Sequence, residues 1–209
     1  MREPYLAAAA SAAELLADPS VAGSWAAPSA LTGFTVGGLA AHLAGQVLFV
    51  EQTLDQLPPG GDEVGLAGHY ERVRWIGADL DDEANVAIRV SGERLAADGA
   101  AELLARVRDT VDRLRERLPA EPPDRMVSPP AGPWALRLDD FLVTRMMEIA
   151  VHSDDLACSL DIATPPLPRA VLDPVFALLT DLALRRHGPT ALLRALSRAE
   201  RAPATIAAF

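Results

Sequence analysis

A chain of 209 residues with a formal net charge of -10, half of it hydrophobic and only 5% aromatic, has room for one domain with a sizeable core. Its acidity argues against nucleic acid or an anionic membrane surface as partner. The single Cys158 excludes an internal disulfide and a multi-thiolate metal site, no apolar run reaches a membrane-spanning length, and the alanine-rich start lacks the basic flank and cleavage site of a secretion signal, so a cytoplasmic protein with one domain over residues 1–209 is expected.

A core drawn from Ala, Leu and Val favours packed helices over sheets, and the chain reads as all-α. The alanines of residues 3–18, with Leu6, Leu15 and Leu16, predict a first helix that stops at Asp18-Pro19-Ser20. After a loop to about Phe34, Thr35 is a helix N-cap. Val36, Leu39, Leu43, Val47, Val50 and Leu54 then recur at three- and four-residue steps until Pro58-Pro59-Gly60-Gly61 stops the pattern. A third helical stretch begins near Leu66 and extends towards or beyond Ile88, with the polar residues 79–82 as the place for a break. Residues 100–118 predict an amphipathic helix whose apolar face is Leu103, Leu104, Val107, Val111, Leu114 and Leu118.

Residues 119–137 hold six prolines and form the longest irregular segment, a candidate cover over a site, with a short strand around Met126. Helical spacing returns over 138–160 through Phe141, Leu142, Glu148, Ile149, His152 and Leu156, and Pro165-Pro166 ends it. Residues 171–187 and 190–198 predict two further helices split by Gly188-Pro189. The last helices, rich in Ala and Leu, could support a homodimer. Every basic residue is Arg, a bias that points to a GC-rich source rather than to the fold.

The chemistry concentrates in Arg145-Met-Met-Glu148-Ile-Ala-Val-His152-Ser-Asp-Asp155. At 3.6 residues per turn, Glu148 and His152 share one helix face a single turn apart, a spacing at which a carboxylate and an imidazole can grip one ion. An ordinary hydrogen-bonded pair has the same spacing. His42 could supply a third ligand, because it sits mid-helix beside Leu39, Leu43 and Gln46, near a core-facing stripe where an unpaired ring is costly. Two imidazoles and a carboxylate suit zinc first, with iron, nickel, cobalt or manganese chemically open. Three protein ligands leave a vacant position, which fits catalysis better than a closed structural site.

Two stretches resemble the mycothiol-dependent maleylpyruvate isomerase family, within the DinB-like superfamily of metal-binding four-helix bundles. Leu31-Thr-Gly-Phe-Thr-Val-Gly-Gly-Leu-Ala-Ala-His42-Leu-Ala-Gly45 resembles the motif carrying the family's first metal-binding His. Thr144-Arg145-Met-Met-Glu148-Ile-Ala-Val-His152-Ser-Asp-Asp155-Leu156 resembles the motif whose Glu and His complete the site, and residues 186–209 are also similar to family members. The resemblance implies an antiparallel up-down bundle with additional C-terminal helices and at most short strands. It also implies His42, Glu148 and His152 as metal ligands, and mycothiol, a low-molecular-weight thiol of actinobacteria, bound to the metal as thiolate and presented to a small electrophile for S-transfer, conjugation or isomerisation.

The chain has little room for the functional C-terminal domain of the isomerase, so the resemblance does not extend to maleylpyruvate isomerisation itself. Gly37-Gly38 stands where the family carries a charged pair, which weakens the first turn of that helix and reads either as drift or as room for a ligand near the backbone. Asp155, one turn past His152, is a candidate acceptor for a ligand imidazole. Arg145, one turn before Glu148, is a candidate for an anionic group of thiol or substrate, against a salt bridge to Glu148 or Asp155. No catalytic acid or base is assigned. Cys158 reads as a buried small hydrophobe, His69 and His187 as structural or surface residues, and Trp134 as pocket wall or loop anchor. A non-catalytic metal-binding bundle and a thiol-independent metal hydrolase are the competing readings.

Overall fold

The computed structural model describes residues 1–56 and 60–209; the expected Pro58-Pro59 stop lies outside them. Among the described residues the chain is mostly helical with one small two-stranded sheet. The helices are α1 (Arg2–Leu16), α2 (Pro19–Gly23), α3 (Val36–Leu54), α4 (Leu66–Tyr70), α5 (Glu83–Ala96), α6 (Ala100–Arg117), α7 (Leu138–Ser159), α8 (Arg169–His187) and α9 (Pro189–Ser197).

Four of them, α1, α3, α6 and α7, pack as a bundle around one core that includes Tyr5, Leu39, Leu43, Leu114, Phe141, Leu142, Met146 and Ile149, all fully buried. The small residues Ala8, Ala9, Ala12 and Ala13 on the buried face of α1 let that helix approach its neighbours closely. Helix α6 is amphipathic and turns its charges outward, whereas α3 is apolar on almost every side because α1, α5, α6 and α7 surround it. The sequence of α3 thus puts its mid-point, and His42 with it, inside the molecule. Helix α8 covers α7 and α1, and α9 lies on α8, so the expected all-α bundle with added C-terminal helices is what the chain forms.

Every free N–H at the start of α3 has a partner. Val36 N–H donates to the Ala27 carbonyl and Gly37 N–H to that of Trp25, both at 2.8 Å, while Gly38 N–H reaches the Thr35 hydroxyl at 2.9 Å and Leu39 N–H the Thr35 carbonyl. Glu93 of α5 accepts from Thr35 Oγ1 at 2.8 Å. The space left by Gly37 and Gly38 is filled by the chain itself: a Cβ at Gly37 would lie 2.7 Å from the Trp25 ring, and one at Gly38 would strike the Glu93 carboxylate. The glycine pair therefore serves helix packing, not a ligand.

The third predicted stretch is two helices. Asp82 caps α5 by accepting from Ala84 N–H at 2.9 Å, and the Asn85 amide ties back to the Asp79 carbonyl, so the polar residues there begin a helix instead of crossing one. In the proline-rich segment, β1 (Met126–Val127) pairs antiparallel with β2 (Leu136–Arg137), Val127 opposite Leu136, close to the expected strand. Among the described residues no helix is long and apolar enough to cross a membrane.

Candidate metal centre

Helix α3 contributes His42 to the centre, and α7, packed beside it, contributes Glu148 and His152. Residues 106 positions apart in the chain meet because both helices bury these faces. His152 Nε2 lies 3.1 Å and His42 Nε2 3.9 Å from the same Glu148 oxygen, Oε2. One ligand atom from each residue fits within 4.8 Å of the other two. The two imidazoles stand edge to face, centroids 4.6 Å apart at 79°. Bonds of about 2.0–2.2 Å at tetrahedral angles separate ligand atoms by roughly 3.3–3.6 Å, so the three donors have the spacing and chemistry of a site for one divalent ion. None of the three side chains is more than 16% exposed, which leaves the centre sheltered but reachable.

Asp155 accepts from His152 Nδ1 at 3.0 Å. That bond holds a proton on Nδ1, so Nε2, which donates to Glu148 Oε2 at 3.1 Å while the ring is charged, is the nitrogen left to face an ion once its own proton is lost. Burial opposes a charge on His152, but the hydrogen bonds to Asp155 and Glu148 outweigh it and push the imidazole up to about 9. Burial likewise opposes ionisation of Glu148, yet the two imidazoles and Arg145 hold its carboxyl well below the usual range. His42 goes the other way, its burial dominating the attraction of Glu148, so its ring is held below the ordinary value and stays neutral.

Gln46, one turn after His42, was not marked as a site residue by the sequence, although its four-residue spacing from His42 was visible. Its amide donates to the His42 carbonyl at 2.9 Å and approaches His42 Nε2 at 3.5 Å, while Arg145 Nη1 donates to its Oε1 at 2.6 Å. Arg145 thereby fixes the amide with its NH2 towards the ring. Arg145 Nε also donates to Thr144 Oγ1, and the guanidinium lies 5.2 Å above the Phe141 ring. The salt bridge weighed for Arg145 is not formed among the described residues: Glu148 engages both imidazoles and Asp155 engages His152.

His69 is buried and structural. The Trp134 indole N–H donates to its Nδ1 at 3.0 Å, which makes Trp134 the anchor of the proline-rich segment. Burial, helped by the Arg145 charge, pulls His69 down to about 4. Its neighbour Tyr70 is also buried, its hydroxyl without a hydrogen-bond partner among the described residues, and burial and the negative charge of Glu148 raise its phenol against the pull of Arg145. No sequence spacing signalled Tyr70, because α4 is a five-residue helix remote in the chain from α3 and α7. His187 Nε2–H donates to the Ala207 carbonyl at 2.8 Å and ties the C-terminal segment to the end of α8. Cys158, expected to be buried, is exposed, since it falls one place beyond the buried pair Leu156 and Ala157.

No curated protein and no solved structure matches the chain. A family profile does: that of the mycothiol maleylpyruvate isomerase N-terminal domain matches residues 5–157, a span that includes His42, Gln46, Tyr70, Arg145, Glu148, His152 and Asp155. The chain belongs to this family.

Proposed function

From that membership we propose that the protein is a divalent-metal enzyme that uses mycothiol to transfer, conjugate or isomerise a small electrophile. The observation that carries this reading is the convergence of His42, Glu148 and His152 on one point, with Asp155 behind His152. The donor set favours zinc.

His42, Glu148 and His152 would hold the ion and leave a further coordination position. When bound, the ion supplies Lewis acidity, keeping a thiol at that position as thiolate at neutral pH. The chain's own groups prepare this. Glu148 provides the one anionic ligand, Asp155 holds the His152 tautomer, and Gln46, clamped by Arg145, faces His42 with a donor and so favours an unprotonated Nε2. Shelter by the surrounding helices strengthens each of these electrostatic interactions. A cytoplasmic setting, where small thiols stay reduced, suits the activity.

Elemental analysis followed by titration with mycothiol tests the proposal. One divalent ion per chain is expected, and in the cobalt-substituted protein mycothiol is expected to produce a thiolate-to-cobalt charge-transfer band. His42→Ala and His152→Ala should each lose the ion and any thiol-dependent turnover while keeping helical circular dichroism. Full metal content in both variants would overturn the assignment; metal without any spectral response to thiol would overturn its thiol half.

A further inference from the structure

We infer that the outer face of α8 and α9 is an interface between two copies of this chain, related by a two-fold axis that sets their α8 helices antiparallel. The inference does not rest on the reading of the metal centre, and both helices lie beyond residues 5–157, the span the family profile matches.

Among the described residues the three most exposed large apolar side chains are Leu196 at 75%, Leu193 at 69% and Phe176 at 57%, and all three sit on α8 or α9. Phe176 and Leu196 border one groove of about 250 Å³, walled also by Leu179, Thr180, Ala183 and Leu192, and no ionisable side chain lines it. Apolar surface gathered in this way marks a contact that another molecule covers. The face itself supplies a side chain that fits the groove. Phe176 and Ala183 are seven residues, two helical turns, apart and so share one side of α8. Under a two-fold, Phe176 of each copy enters beside Ala183 of the other, where Leu192 and Leu196 meet it, and one operation buries both rings. The axis then passes between Leu179 and Thr180, midway along the stripe.

Charge selects a second copy as the occupant. Residues 182–209 hold five Arg against the single acid Glu200, a formal +4, whereas residues 1–181 sum to -14. The same polarity runs along the face. At the start of α8 the exposed charged groups are Asp154 and Asp161, which precede the helix, and Arg169 and Asp173 within it, an acidic balance. At the far end, Arg186 and, on α9, Arg194 have no acidic partner among the described residues, while Arg185 is held by Asp181 and Glu71. The antiparallel arrangement lays the basic end of one copy over the acidic end of the other and sets the two helix dipoles in opposition, which is favourable. An anionic lipid surface would meet acids along half of this face.

Sedimentation equilibrium of the whole chain, at concentrations up to about 100 µM, tests the interface. The parent is expected near twice its 22.2 kDa. Phe176→Asp and Leu196→Asp, at positions exposed in the single copy, are each expected to raise the dissociation constant at least tenfold with an unchanged helical signal. Cys158→Ser removes the one native thiol; on that background Thr180→Cys, beside the axis, is expected to link two copies through a disulfide under mild oxidation. A parent that stays monomeric throughout the range overturns the interface, as do Phe176→Asp and Leu196→Asp variants that associate as tightly as the parent. A dimer that Thr180→Cys does not link overturns the antiparallel arrangement. A monomer that sediments with phosphatidylglycerol vesicles, and no longer does so as Phe176→Asp, assigns the face to lipid and refutes the second copy.

Discussion

Asp155 sits 3.0 Å from Nδ1 of His152, on the side of the ring away from Glu148. Its carboxylate acts on metal binding in two opposed ways, since it orients the ring and raises its basicity but also holds a proton on the imidazole in the metal-free protein. Above about pH 9 the second effect disappears. At that pH Asp155→Ala is expected to weaken zinc binding by about ten- to a hundredfold, measured by competition with a chromogenic chelator, whereas at pH 7 the loss should be smaller because proton competition is relieved.

The pH dependence of metal binding follows from the same group. A ligand imidazole must be neutral, and His152 is raised to about 9, while Glu148 is ionised and His42 neutral well inside the physiological range. Binding at pH 7 therefore displaces about one proton per ion, and affinity is expected to rise roughly tenfold per pH unit up to about 9 and then level off. Calorimetry in two buffers of different ionisation enthalpy measures the proton released. A count near zero at pH 7 would show that His152 is already neutral.

The parts of this centre legible in the sequence are those fixed by one helix at a time. Glu148, His152 and Asp155 lie on one face of α7 through spacing alone, and the apolar run of α3 implies that His42 is interior. What joins them is tertiary. The pairing of Arg145 with Gln46 spans two helices, and the contact of Trp134 with His69 ties a proline-rich loop to a five-residue helix; no periodicity encodes either. Gly37 and Gly38 leave drift and a ligand both open in the sequence, because a glycine does not say what approaches it, here Trp25 and Glu93. Cys158 went astray by a single helical position.

The His69 to Trp134 contact should make stability sensitive to acid. Nδ1 of His69 can accept the indole proton only when unprotonated, and the folded chain holds this ring at about 4 against an ordinary value of 6.5. Because the folded value is depressed for a base, the unfolded chain takes up the proton first. Stability is complete above about 6.5 and is lost as the pH falls towards 4, by at most about 3 kcal/mol. Urea unfolding at pH 7.5, 5.5 and 4.5 measures this loss. Trp134→Phe, which leaves Nδ1 buried without a donor, is expected to cost about 1–3 kcal/mol at pH 7.5 and to release the proline-rich segment to limited proteolysis.

Gly92 offers a test of how tightly α5 is set against the helix of His42. In an unhindered helix Gly→Ala stabilises by up to about 1 kcal/mol. At Gly92 the new Cβ would lie 2.8 Å from the Gly38 carbonyl oxygen and 3.4 Å from the Phe34 ring. The first contact is backbone, which cannot rotate away, and the second ring stands 5.8 Å from His42. Relief requires α5 to move off α3 or the first turn of α3 to shift, one turn before His42. Gly92→Ala is therefore expected to destabilise by about 1–3 kcal/mol, opposite in sign to helix propensity, and to weaken zinc binding although residue 92 touches no ligand. Thermal unfolding with and without zinc separates the two effects. A stabilised variant with unaltered zinc affinity would mean that α5 and α3 stand further apart than this contact requires.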